Sequence, residues 1–151
     1  MPSLAFQYNP SVGPLIQVGI ASPALALRTQ SQGVGNTSPG AVIYNALIDT
    51  GASCTCITAK VVNEVGLAPT GKQTVGGVHG KKVVNQYRFR VAILFPGPAT
   101  ITFPANAGPM AIPVLGVEFE WSGGFDVLLG RDILCQGVMT LSFDGHGTFS
   151  L

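Results

Sequence analysis

The sequence predicts an all-β protein, and three features support that fold class. Twenty Gly and 11 Pro among 151 residues divide the chain into short segments. These segments are rich in β-branched and aromatic residues. Several of them also alternate between apolar and polar positions, as half-buried strands do. A chain of this length most simply buries one core, so we expect residues 13–151 to form a single domain, preceded by an N-terminal arm at residues 1–12.

In the first part of the chain, two predicted strands flank a polar loop. Residues 15–20 alternate, with three aliphatic side chains on one face. Residues 29–40 are rich in Ser, Gln, Gly, Asn and Pro, which indicates an exposed loop. Residues 41–48 return to a strand, which ends at Asp49.

One segment has the pattern of a helix of about two turns. Thr58 precedes residues 59–65 as a capping residue, and Gly66 suits a left-handed helix end. Val61 and Val65 would share one face of the helix. We therefore expect a short element that serves packing only.

Strands and glycine- or proline-rich turns are predicted to alternate in the middle of the chain. Residues 74–82 form a glycine-rich bend between two strand-like arms, and residues 87–95 place apolar side chains on one face and two arginines on the other. A short strand at 99–103 and a loop at 104–110 follow. The next strand is expected to bury one face, made of Leu115, Val117, Phe119 and Trp121.

Shorter elements are predicted near the C-terminus. Residues 125–134 have the pattern of an apolar strand, a glycine turn and a short helix. Residues 139–143 and 148–151 form a hairpin around an Asp-Gly turn. The apolar strand at the end of the chain has to be covered, and a second subunit is one way to cover it.

The chain carries unusually little charge. Charged residues make up 10% of it and the net charge is +1, against an average charged fraction of about 25%. The basic residues are scattered, so neither nucleic-acid binding nor an anionic-membrane footprint is predicted. Sparse charge indicates a surface used as a subunit interface or a peptide groove. No secretory signal or membrane-spanning run is visible, which favours a cytoplasmic protein.

Three cysteines, Cys54, Cys56 and Cys135, are a small and odd set. The Cys-x-Cys pair has no matching His or Cys cluster at zinc-ligand spacing, so we expect no metal and no cofactor. Reduced thiols of a cytosolic protein are favoured. Because Cys54 and Cys56 closely follow Asp49, a redox switch is the alternative to two small buried thiols.

Asp49 is the first candidate for chemistry. It ends an apolar run and is followed by Thr50, Gly51, Ala52 and Ser53. A carboxylate at the end of a hydrophobic strand is costly unless something pairs with it or uses it. Gly51 permits torsions or close approaches that a side chain would block, and the hydroxyls can hold the carboxylate or nearby backbone. Ordinary turn chemistry is the alternative.

Two motifs together resemble those of a known family. Asp49-Thr50-Gly51-Ala52-Ser53 resembles the active-site signature of the retroviral-type aspartic proteases, the retropepsins, and Leu128-Leu129-Gly130-Arg131-Asp132 resembles their second signature. The glycine-rich bend lies between them, where that family carries its flap. The resemblance covers residues 12–151, and the chain's length is closer to that of cellular or bacterial relatives than to that of viral enzymes. It implies a closed β-barrel with one or two short helices that forms a two-fold symmetric homodimer.

The resemblance also implies an aspartic endopeptidase. Two carboxylates of such a site share one proton, because two like charges so close cannot both ionise. One carboxylate activates water and its partner polarises the scissile carbonyl. This chain has one Asp-Thr-Gly, so a second chain would supply the other Asp49. Asp126, Asp132 and Asp144 lack a following Thr/Ser-Gly and are interpreted as turn or ion-pair residues.

Roles for the neighbouring residues follow from the same resemblance. Thr50 would lock the two active-site loops together, Gly51 would contact the substrate backbone, and Ala52 would line the pocket floor. Arg131 would brace the base of the site. Many retroviral enzymes have Asp at the position of Ser53, so Asp132 is the alternative partner of Arg131.

The implied flap comprises Gly76, Gly77, Val78, His79 and Gly80, which would close over a bound peptide and exclude water. His79 either adds pH dependence to substrate contact or is a plain exposed loop histidine. Leu128 and Val78 either line apolar specificity pockets or belong to the core.

Two other functions compete with proteolysis. One is a catalytically silent retropepsin-like module that only dimerises or binds peptides. The other is a β-barrel carrier or capsid-like shell protein, which leaves Asp49 unexplained. The expected partners of the leading function are a peptide or protein substrate and a second copy of the chain.

Overall fold

The computed structural model describes residues 3–23, 41–77, 80–94 and 111–151. The loop predicted at 29–40, the elements predicted at 99–110 and the flap residues Val78 and His79 lie outside this part of the chain.

The described chain is mostly β, with ten strands and two short helices. They are, in chain order, β1 (Ser3–Gln7), β2 (Leu15–Ala21), β3 (Val42–Ile48), β4 (Cys56–Ile57), α1 (Ala59–Val65), β5 (Pro69–Gly77), β6 (Gly80–Ile93), β7 (Ala111–Glu118), β8 (Val127–Leu129), α2 (Arg131–Leu134), β9 (Val138–Leu141) and β10 (His146–Ser150). Neither helix of this described part is long and apolar enough to cross a bilayer.

Six of the strands close into a barrel. Their order is β2-β3-β8-β4-β7-β6, and β6 pairs back with β2. Closure removes free edges from the ring. The interior is aliphatic and aromatic, and its fully buried side chains include Val18, Ile20, Phe89, Val91, Val127 and Leu129. The predicted closed β-barrel with short helices is confirmed.

One parallel pair of strands positions the candidate site. β3 and β8 run side by side in the same direction, with Ile48 opposite Leu129. Asp49 and Gly130 directly follow these two residues. The two segments recognised in the sequence therefore leave the barrel at the same edge.

β5 and β6 form a long hairpin whose outer half extends beyond the barrel. The register continues out to Gly77 opposite Gly80. β6 begins to pair with β7 only at Gln86, so the hairpin beyond that point has no neighbouring strand within the described chain. Its residues are mostly exposed.

A second sheet of three antiparallel strands, in the order β1-β10-β9, joins the two ends of the chain. β10 is its central strand, and Phe149 is fully buried. The apolar C-terminal strand is therefore covered by its own chain. Three large apolar side chains on and just after β9 are exposed, namely Val138, Leu141 and Phe143.

The helix α1 has the predicted bounds but not the predicted cap. Gly66 ends it with φ at 71°, and its N–H donates to the carbonyl of Val62. The Thr58 side chain makes no capping hydrogen bond, because its hydroxyl points instead to Asp126 Oδ1, at 3.3 Å. The prediction that Thr58 caps the helix through its side chain was wrong.

The prediction for the buried face of β7 was right about Val117, which is buried, and wrong about Leu115 and Trp121, which are exposed. Leu115 is 46% exposed, whereas Ile112 and Val114 are buried, and the strand ends at Glu118, before Phe119 and Trp121. After Ile112 and Val114, the next inward position on β7 is Gly116, where a Cβ would overlap the Phe89 ring and the Thr55 carbonyl. A glycine carries no hydrophobic signal, so the apolar pattern did not show that this position points inward.

Candidate active site

The candidate site is built from two loops that hydrogen-bond to each other through their backbones. The Asp49 N–H donates to the carbonyl of Leu129 at 3.0 Å, and the Arg131 N–H donates to the carbonyl of Ala52 at 3.0 Å. The Asp49 segment is closed by a bond from the Ala52 N–H to the Asp49 carbonyl, at 3.3 Å. These bonds fix the loop that carries the carboxylate to the loop after β8.

The Asp49 carboxylate is half-buried and held at one oxygen. Oδ1 accepts a hydrogen bond from the Gly51 N–H at 2.8 Å. A Cβ at Gly51 would stand 3.1 Å from this oxygen, close enough to push the carboxylate out of place by a few tenths of an ångström. Gly51 therefore favours the observed position of the carboxylate through close approach and not through a left-handed torsion. Within the described chain, the second oxygen has no hydrogen-bond partner, which leaves it free for a proton or a water.

Asp132 fastens the base of the site through Thr55. Its carboxylate accepts the Thr55 N–H at 3.0 Å and the Thr55 hydroxyl at 2.8 Å. The same hydroxyl accepts the Gly130 N–H at 3.2 Å. Thr55 is fully buried, so these bonds satisfy polar groups that have no access to water.

Thr55 is a residue that sequence reasoning missed. It stands between two cysteines, and its partner Asp132 is 77 residues away. No local pattern marks such a contact. The structural role of a buried hydroxyl beside a strand can be assigned only when its hydrogen-bond acceptor is known.

Arg131 and Ser53 are both exposed. Among the described residues, no carboxylate lies within ion-pair distance of the Arg131 guanidinium. The Asp132 carboxylate faces Thr55 instead. In this single chain Arg131 contributes to the site through its backbone N–H.

Gly130 lets the two loops pack tightly. A Cβ at this position would overlap the carbonyl group of Cys54 and would lie 2.8 Å from the Thr55 nitrogen. These are backbone atoms, which cannot rotate away. The glycine of the second signature is therefore explained by packing.

Of the implied flap, the structure describes the two arms. Gly80 has φ at 105°, a conformation that favours glycine, and Gly76 and Gly77 are exposed with open space around them. Lys82 on β6 forms an ion pair with Glu120, at 2.6 Å, which links the hairpin to the loop after β7. Leu128 is half-buried, whereas its neighbours Val127 and Leu129 face the core.

The other aspartates have structural partners. Asp126 forms an ion pair with Lys60 at 2.8 Å. Asp144 accepts the His146 N–H at 3.3 Å within the turn of the C-terminal hairpin. Hydrogen bonds from Ser142 and then His146 lower the pKa of Asp144. Both agree with their interpretation as turn and ion-pair residues.

Comparison with known proteins identifies the family. A family model described as "Aspartyl protease" matches residues 39–133, which include the Asp49 loop, both arms of the hairpin and Arg131. The chain belongs to the aspartyl protease family. The predicted resemblance to retropepsin-like enzymes is confirmed.

The fold is shared with a solved structure at low sequence identity. A crystal structure of a retropepsin-like aspartic protease from Rickettsia conorii is 14% identical, with a TM-score of 0.55, over 97% of this chain and 89% of that one. The solution structure of Simian Foamy Virus (mac) protease is 11% identical, with a TM-score of 0.45, over 81% and 92% of the two chains. The sequence has no significant match among curated proteins.

Proposed function

We propose that the protein is a homodimeric aspartic endopeptidase that hydrolyses peptide bonds of extended peptides. The observation that carries this proposal is the Asp49 carboxylate. It is fixed at Oδ1 by the Gly51 N–H and has its second oxygen free within the described chain. It stands in a loop that lies inside the aspartyl protease match.

The proposed reaction uses one Asp49 from each of two chains. A water held between the carboxylates loses a proton to the ionised one, while the protonated one polarises the scissile carbonyl. The proton then passes to the leaving amine. Because the pair shares one proton, it titrates as a unit and not as two separate groups. Activity should therefore fall as the pH rises and the shared proton is lost.

The exposed surface of β9 supports the proposal that a second chain binds there. Val138, Leu141 and Phe143 are 63%, 40% and 96% exposed, and no residue from 138 to 143 is charged. β9 is one of the two outer strands of its sheet in the described chain. An edge without charge or proline is open to pairing with another chain, and an exposed apolar patch is typical of an interface.

The β5–β6 hairpin is proposed as the flap. Its tip residues Val78 and His79, with Gly76, Gly77 and Gly80, would close over the bound peptide. The glycines permit opening and allow the backbone to approach the substrate. Leu128 is proposed to line an apolar pocket, because it faces away from the core.

The decisive experiment is peptide-library cleavage by the wild type and Asp49→Asn from mildly acidic to neutral pH. Removing a general acid–base group costs about 10²–10⁴-fold or more, so Asp49→Asn should abolish cleavage while keeping its circular dichroism spectrum and its solution mass. Glu64→Gln is the matched control, since it removes one charge from the exposed face of α1 and its amide oxygen can still accept the Tyr44 hydroxyl that Glu64 binds. Full activity of Asp49→Asn would contradict the assignment.

The same experiment separates the competing functions. A wild type that dimerises and binds peptides without cleaving any would support a silent module. A solution mass far above that of a dimer would support a shell protein. A strict monomer under assay conditions would exclude the dimeric site.

A further inference from the structure

Two thiols follow the Asp49 loop and have no part in the proposed proteolysis. Cys54 and Cys56 are both half-buried and unpaired by a disulfide, and they flank the buried Thr55. The Cys56 thiol donates a hydrogen bond to the Cys54 carbonyl oxygen at 3.5 Å. The third cysteine, Cys135, is exposed at the end of α2.

We propose that Cys54 and Cys56 form an oxidation site, which a peroxide converts reversibly into a Cys54–Cys56 disulfide. Two Cα atoms separated by one residue are at most about 7 Å apart, and disulfides span about 4.4–6.8 Å. Closure thus needs only a small backbone movement.

The surroundings give the two sulfurs different roles. The neighbouring Cys56 thiol lowers the pKa of Cys54 to about 7, against the opposing effects of burial and of the Asp132 charge, and the Ser53 side chain lowers this pKa further. The pKa of Cys56 is raised, first by its hydrogen bond to Cys54 and then by burial, with smaller effects from the charges of Cys54, Asp132 and Asp49. Cys54 is therefore the nucleophile and Cys56 the resolving thiol.

The oxidation proceeds in two balanced steps. The Cys54 thiolate attacks one oxygen of hydrogen peroxide, the O–O bond breaks, and a sulfenic acid and hydroxide form. The Cys56 sulfur then attacks the Cys54 sulfur, and the S–OH oxygen leaves as water with the Cys56 proton. Peroxide gains the two electrons that the two thiols lose. Once Cys54 is a sulfenic acid, its negative charge no longer raises the pKa of Cys56.

Closing this disulfide would disturb the candidate active site. Thr55 lies between the two cysteines and is fixed to Asp132 by its N–H and its hydroxyl. Drawing Cys54 and Cys56 together shifts the Thr55 backbone, and with it the anchor of the Asp49 loop. The expected result is a reversible loss of hydrolysis.

Peptide mapping of the intact chain tests the site directly. Trypsin cuts after Arg28 and Lys60, so one peptide, residues 29–60, contains both thiols, whereas residues 132–151 contain Cys135. Treatment with a few equivalents of hydrogen peroxide should remove two hydrogens from the first peptide and block its reaction with maleimide. Cys135 should still react, and dithiothreitol should restore both thiols. Oxidation of Cys135 with peptide 29–60 left fully reduced would overturn the proposal.

Two variants test the roles of the sulfurs. Cys56→Ala removes the thiol that lowers the pKa of Cys54, so the alkylation rate of Cys54 at about pH 7 should fall by roughly five- to ten-fold. Peroxide should then leave a sulfenic acid that dimedone traps. Cys135→Ser is the matched control and should oxidise like the wild type. An unchanged alkylation rate of Cys54 in Cys56→Ala would contradict its activation by Cys56.

The disulfide itself does not depend on the proposed function, whereas its effect on hydrolysis does. Asp49→Asn should form the disulfide as the wild type does, although it is inactive. A disulfide that forms without changing the wild-type hydrolysis rate would overturn the regulatory effect and leave the protease assignment intact.

Discussion

Gly130 is the residue at which the loop after β8 packs against the loop after Asp49. A methyl group there would overlap the Cys54 carbonyl group, and the neighbouring Thr55 is anchored to Asp132. Backbone has little freedom to relax, because both loops are fixed by cross-loop hydrogen bonds. A substitution at this position therefore tests how rigid the base of the site is.

We expect Gly130→Ala to lower the free energy of unfolding by about 1–3 kcal/mol, the usual cost of overpacking. Urea denaturation followed by circular dichroism measures it. Gly124→Ala is the matched control, since a Cβ at that exposed position meets nothing within 4 Å. Its effect should stay within about 0.5 kcal/mol. Equal stability of the two variants would show that the loops can move apart.

Single residues were predictable where chemistry is local. Asp49 and its glycine were found because a carboxylate ending an apolar strand is unusual by itself. The reason for Gly51 emerged only from the structure, as its close approach to Asp49 Oδ1. The role of Thr55 could not be predicted, because its hydrogen-bond acceptor, Asp132, lies on the other loop.

At the scale of elements, Asp132 joins α2 to the start of β4. It lies in the first turn of α2 and accepts two hydrogen bonds from Thr55 and one from the Ile133 N–H. One carboxylate thus orients a helix and a strand that are distant in the chain. Its removal leaves buried donors of Thr55 without acceptors.

We expect Asp132→Ala to lower the free energy of unfolding by about 2–3 kcal/mol, since hydrogen bonds to a charged group are lost and a buried donor stays unsatisfied. Asp132→Asn keeps one acceptor oxygen and should cost clearly less. Thermal or urea unfolding of both variants provides the comparison. Equal losses would mean that the hydrogen bonds to Thr55 add little.

Elements were predicted best where their signals lie within them. The helix α1 has the expected bounds because periodicity and a terminal glycine are both local features. Its cap was wrong because Asp126, from another loop, attracts the Thr58 hydroxyl. The buried face of β7 was predicted correctly at Val117 but not at Leu115. The inward position beside them is Gly116, where the Phe89 ring and the Thr55 carbonyl leave no room for a side chain.

At the scale of the whole molecule, barrel closure depends on pairings between distant segments. β3 pairs in parallel with β8, and β2 pairs with β6. Alternation in the sequence identifies strands but not their partners. The family resemblance of the two motifs linked the segments of Asp49 and Gly130. It was the only long-range relation that could be predicted from the sequence.

The proposed dimer makes Phe143 the most informative surface position. Its side chain is 96% exposed in the single chain, so Phe143→Glu should change the stability of a monomer by no more than about 0.5 kcal/mol. A charge at an apolar interface should nevertheless weaken the dimer, and hydrolysis should fall in parallel, because a single chain holds one Asp49. Ile43→Glu on β3, which is 58% exposed, is the matched control. Analytical ultracentrifugation measures dimerisation, and cleavage rates over a concentration series measure hydrolysis. If Phe143→Glu dimerises and cleaves peptides like the control, the interface lies elsewhere.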